Sequence, residues 1–148
     1  LIVDASVILS AFFPDENQHY AQALIRAHVS GHEPLLAPAL LWYELTNAVL
    51  QAVRRQRITD EQSRVILEAF EGLDIETRPV GWREILALAR QFDRSAYDAA
   101  YLALAQTTGQ RLITGDRRLY NAVKDHLDKV CWIGDYVPPR PRPDQANR

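Results

Sequence analysis

A chain of 148 residues, 47% of them apolar, suits one domain with a real core and argues against a second. Its formal charge of −2 excludes a global basic footprint, so any nucleic-acid partner would have to be held by a local patch. A single cysteine rules out an internal disulfide and no apolar run approaches a membrane span, so a reducing, cytoplasmic compartment and no membrane association are expected.

In chain order, Leu1-Ile2-Val3 reads as a buried strand ending at Asp4. The chain thus opens on a strand without a signal-peptide pattern and contains no Met, so the expectation is either an initiator that is removed or a sequence that starts late, with a few strand residues before Leu1. A short helix from Ala5 to Phe13 stops at Pro14, and an amphipathic one follows from Asn17 to Ser30. Pro34 to Pro38 is a short strand, and Leu40 to Gln56 a long helix with Glu44 near its start. Thr59-Asp60-Glu61-Gln62 fits a capping box that opens a helix ending near Gly72, so these two helices form a hairpin. A polar strand, Asp74 to Arg78, precedes helices over Trp82 to Phe92 and Ser95 to Thr108. The remainder is strand (Arg111 to Thr114), helix (Arg117 to Asp125) and strand (Val130 to Ile133). Residues 1–137 form the domain, and the Pro/Arg-rich tail 138–148 is expected to be extended and disordered. Cys131 falls in the last strand as a buried, inert thiol, while His19, His28, His32 and His126 are read as solvated.

Strands alternating with helices predict an α/β fold with a mostly parallel central sheet sandwiched by helices. Four acids stand in distinctive contexts: Asp4 in LIVDASV, Glu44 in WYELTNAVL, Asp98 in SAYDAAYLALA and Asp116 in LITGDRRL. Two end parallel strands, where open α/β sheets place their ligands, and two ride on helices that could converge there. Each also has an ordinary explanation. Asp4 and Asp116 could be N-caps, Asp98 could complete a capping box with Ser95, and Glu44 could lie with Asn47 on a solvated helix face. A cluster of all four would raise its own pKa values, which makes a divalent cation its natural partner.

The four segments together resemble PIN-domain ribonucleases, most closely the VapC toxins of toxin–antitoxin pairs. LIVDASVILSAFF is similar to the family's opening segment, ELTNAVLQAVRR to its Glu-bearing helix, YDAAYLALA to its central helix and LITGDRRL to its final strand end. The likeness runs from Leu1 to about Tyr136. It implies a three-layer α/β/α sandwich and maps the acidic quartet onto Asp4, Glu44, Asp98 and Asp116, with Ser6, Asn47 and Thr114 as polar supports. It also implies endonucleolytic cleavage of RNA, a homodimer, and a small antitoxin seated on the helical hairpin. Oxygen-only donors suit Mg²⁺ or Mn²⁺ and make zinc a poor fit. On this view Asp4, Asp98 and Asp116 hold the metal directly or through water, and Glu44 orients a water or binds a second ion. Candidate RNA contacts are Arg54, Arg55 and Arg57 after the Glu44 helix, and Arg117 and Arg118 beside Asp116.

Two other readings compete. Haloacid-dehalogenase-type phosphatases also open with a strand ending in Asp, but a second Asp stands two residues on, where this chain has Ser6. A PIN-like module that binds RNA or protein without cleaving it would need no intact acidic quartet, and all four acids are present.

Overall fold

The computed structural model describes residues 1–140. Its elements follow the expected alternation. Strand β1 (Ile2–Val3) leads into α1 (Ala5–Phe12) and α2 (Gln18–Val29), then β2 (Leu36–Pro38), α3 (Leu41–Arg54) and α4 (Asp60–Gly72). Strand β3 (Glu76–Arg78) is followed by α5 (Trp82–Phe92) and α6 (Ala96–Thr108), then β4 (Leu112–Thr114), α7 (Arg117–Val123) and β5 (Val130–Trp132). The helix expected to reach Asp125 thus stops at Val123. Of the tail, residues 138–140 carry no regular structure, and the remainder lies outside the described residues.

The five strands form one sheet in the order β3-β2-β1-β4-β5, with every pairing parallel. The chain winds outward from β1 to β3, then crosses back to add β4 and β5 on the other side. Because such crossovers are right-handed, the reversal puts the helices of the two halves on opposite faces of the sheet. The result is the three-layer α/β/α sandwich that the resemblance implies. Its centre is apolar because β1 and β4 are covered on both faces, with Ile2, Val3 and Leu112 fully buried. Helix α6 packs on β1, β2 and β4. It is buried nearly all round from Ala99 to Ala105, which explains its lack of an apolar stripe.

Local signals set several boundaries. The Thr59 and Gln62 capping box is formed, with Gln62 N–H donating to Thr59 Oγ1 at 3.0 Å and Thr59 N–H to Gln62 Oε1 at 2.9 Å. Gly109 ends α6 at φ 68°, a left-handed conformation that a residue with a Cβ adopts at a cost. Two readings need correction. Half-buried His28 is a structural clamp: its Nε2–H donates to Leu73 O at 2.7 Å while Nδ1 accepts Leu35 N–H at 3.0 Å, tying α2 to the ends of two other segments. His19, His32 and His126 are exposed as expected. Cys131 does lie in β5 but is only half-buried.

Candidate active site

The site begins with strand register. Val3 of β1 pairs with Ile113 of β4, so one residue further along Asp4 comes level with Thr114 at the carboxyl ends of two adjacent parallel strands. The direction of strand addition reverses between these strands, the place where open α/β sheets bind ligands. Thr114 Oγ1 donates to Asp4 Oδ2, and Ser6 Oγ donates to Asp4 Oδ1 at 2.5 Å. The same hydroxyls accept backbone protons, Thr114 from Asp116 N–H at 3.0 Å and Ser6 from Gly115 N–H at 2.9 Å. An amide can only donate, so these bonds fix the direction of the network and aim both hydroxyl protons at Asp4. Gly115 belongs here for close approach: a Cβ on it would lie 3.3 Å from Ser6 Oγ.

Asp4 also caps α1, accepting Val7 N–H at 3.3 Å, and Asp116 caps α7, accepting Arg118 N–H at 2.9 Å and Leu119 N–H at 3.2 Å. Capping and site roles therefore coexist in the same carboxylates. Burial pushes the Asp4 carboxyl up to about 6, the Asp116 charge adds to the rise, and the bonds from Ser6, Thr114 and Val7 oppose it.

The other two acids arrive on helices. Glu44 lies in the first turn of α3 and Asp98 in the first turn of α6, where Ser95 Oγ caps the helix by accepting Asp98 N–H at 3.0 Å. Among the described residues the reciprocal half of that box is not formed, so the Asp98 carboxylate is left for the pocket. Desolvation raises both carboxyls above their usual range. For Asp98 the neighbouring Asp116 adds to this, and for Glu44 a hydrogen bond from Tyr101 opposes it while Asp98 reinforces it.

Asp4, Glu44, Asp98 and Asp116 line one open pocket of about 300 Å³, together with Ser6, Asn47 and Tyr101. No Lys, Arg or His lines it. Among the described residues no three His, Cys, Asp or Glu side chains are drawn close enough to form a complete metal-binding group. The donors are nevertheless all oxygen and mutually repelling, with the Arg94 charge only partly offsetting the rise at Asp98 from outside the pocket lining. Such a set fits a hard divalent ion that keeps waters between itself and some of its carboxylates.

A PIN-domain family model matches residues 1–125. The chain belongs to the PIN-domain family. This PIN domain is 33% identical over 123 residues to Ribonuclease VapC3 of Pyrobaculum aerophilum, covering 80% of this chain and 91% of that protein. It is 32% identical over 120 residues to Ribonuclease VapC9 of Mycobacterium tuberculosis, covering 80% and 87% respectively. Its fold is similar to the crystal structure of PAE2754 from Pyrobaculum aerophilum, at a TM-score of 0.67 and 23% identity over 89% of each chain.

The arginines are not gathered into the acidic pocket of this PIN domain. Arg54, Arg55 and Arg57 are exposed at the far end of α3, about 15 Å along the helix axis from Glu44. Arg57 instead lines a separate apolar groove of about 910 Å³ between α1 and the α3/α4 hairpin. Leu9 and Ala48 line both this groove and the acidic pocket, so the two spaces share a wall. Arg117 lays its guanidinium 3.7 Å from the Trp132 ring centroid, and Arg118 is exposed beside Asp116. Tyr101, which lines the pocket, escaped the sequence reading. The available signal was its position three residues after Asp98, which puts both side chains on one face of α6.

Proposed function

We propose that the chain is a Mg²⁺- or Mn²⁺-dependent endoribonuclease of VapC type, the toxin of a toxin–antitoxin pair, acting in the cytoplasm as a homodimer. The observation that carries this reading is the convergence of Asp4, Glu44, Asp98 and Asp116 from four separate segments on one pocket at the strand ends. The curated relatives named ribonucleases support the reaction class. Among the described residues no helix is long and apolar enough to cross a membrane.

Asp4, Asp98 and Asp116, with Glu44, would hold the cation, which when bound supplies positive charge against the phosphodiester and lowers the pKa of water. Asp4 is presented rigidly because Ser6 and Thr114 each donate to one of its oxygens. Glu44 orients the attacking water, and Asn47 on the next turn adds a neutral polar contact on the pocket wall. Water adds to phosphorus as the bond to the 3′ oxygen breaks, leaving 5′-phosphate and 3′-hydroxyl ends. Arg118, exposed next to Asp116, and Arg117, braced on Trp132, would hold backbone phosphates. The more distant Arg54, Arg55 and Arg57 would extend that track. The apolar groove that shares Leu9 and Ala48 with the pocket is where the antitoxin would seat.

Purified, antitoxin-free protein incubated with total bacterial RNA in Mn²⁺, Mg²⁺ or EDTA, with Asp98→Asn alongside, tests this reading through sequencing of new 5′-phosphate ends. Discrete metal-dependent cuts missing from the variant are expected. Cuts that survive EDTA or the substitution would overturn the mechanism, and absence of both cutting and metal binding would leave a binding module.

A further inference from the structure

Tyr101 is the one polar side chain in the buried run Ala99–Ala105 of α6, and it is 2% exposed. A phenol at such depth needs a partner for its hydroxyl. It finds one 57 residues away on a different helix, donating to Glu44 Oε1 at 2.6 Å. Among the described residues this is the sole hydrogen bond made by the Glu44 side chain. Glu44 is also only half-buried, so its three side-chain torsions are otherwise restrained by little.

Resting on the nuclease reading above, we infer that Tyr101 is a positioning residue whose hydroxyl fixes the Glu44 carboxylate, holding one oxygen and leaving the other to the pocket. Three observations support this. A hydrogen bond to a charged acceptor outweighs the torsional freedom it removes, so the bond is strong enough to choose one Glu44 rotamer. Both α3 and α6 have buried apolar faces of their own, with Leu41, Leu45 and Val49 on α3, so neither helix needs this bond to stay packed. Finally, Tyr101 itself lines the acidic pocket, so the bond lies at the site's wall. The phenol acts on the reaction through Glu44, as outer groups act on metal ligands by restricting their orientation.

A double-mutant cycle of Tyr101→Phe and Glu44→Ala in the full chain tests this, with Mn²⁺ affinity by calorimetry and RNA cleavage as separate readouts. Phe keeps the ring that packs in α6, and circular dichroism with thermal melting checks each fold. Tyr101→Phe should weaken Mn²⁺ binding and lower kcat by about 10-fold or more, the scale of such outer interactions, with KM for RNA changed less than about 2-fold. In the Glu44→Ala background the same substitution should change neither. Equal losses in both backgrounds would make Tyr101 a general packing residue and overturn the inference, as would unchanged Mn²⁺ affinity and kcat in the single variant. A wild type that binds Mn²⁺ but cuts no RNA would end the nuclease reading, while the Mn²⁺ cycle would still decide the role of Tyr101. A wild type that binds no Mn²⁺ would overturn both.

Discussion

Asp4 and Asp116 stand at the ends of adjacent strands, inside a web of hydrogen bonds that engages both oxygens of Asp4 and two backbone amides of the neighbouring strand end. Glu44 and Asp98 stand on separate helices and, among the described residues, their carboxylates accept one hydrogen bond between them, from Tyr101. The strand half of the site is therefore set by register, and is in place once β1 pairs with β4. The helix half is set by how α3 and α6 pack, with one phenol to trim the result. Precision is concentrated where the charge is most deeply buried.

Substituting one acid from each half tests that contrast most severely. Asp4→Asn and Asp98→Asn should each lower metal-dependent RNA cleavage by at least about 10²-fold, the scale on which misplaced reacting groups are felt. They should differ in metal-free stability: only Asp4→Asn disturbs a fully bonded site. Thr114→Val comes next. Thr114 is fully buried, so losing its hydroxyl leaves Asp116 N–H and Asp4 each short of a partner, which should cost about 1–3 kcal/mol in urea denaturation. Cleavage should fall roughly 10–100-fold in the same variant.

A pH comparison sharpens the same point. Asp4, pushed up to about 6, takes up a proton in the native state before the unfolded chain does as pH falls. Native protein then binds more protons than unfolded, so this group stabilises the fold below about pH 6 and the contribution is lost as pH rises through that value. Metal-free wild type should gain about 1 kcal/mol relative to Asp4→Asn between pH 7 and pH 5. An unchanged difference between the two proteins would show that Asp4 is not shifted. The smallest effect belongs to exposed Asn47 on the helix half: Asn47→Ala should leave stability within about 0.5 kcal/mol, read by thermal melting.

The sequence disclosed the strand half best, because apolar runs ending in Asp report both the strand and the place where it stops. Helix starts marked by local chemistry, Thr59 with Gln62 and Ser95 before Asp98, were legible for the same reason. Tyr101 and His28 were not, since each finds its partner across a long stretch of chain, and nothing local distinguishes a phenol that reaches Glu44 from one that merely fills a core. Distance from the acids was also hidden in the arginine clusters: Arg54, Arg55 and Arg57 were read as candidate RNA contacts, and because a helix carries its far end away from its beginning they stand well apart from Glu44.

The pairing of β1 with β4 also bears on when this protein can become active. Asp4 is made well before Thr114, which braces it from 110 residues further along the chain. A chain emerging from the ribosome folds from its N-terminal end, and until β4 and the residues after it have been made Asp4 has no neighbouring strand on this side and Asp116 does not yet exist. For an enzyme proposed to cut RNA, this topology withholds the complete site until the segment that carries Thr114 and Asp116 has been made and has paired with β1.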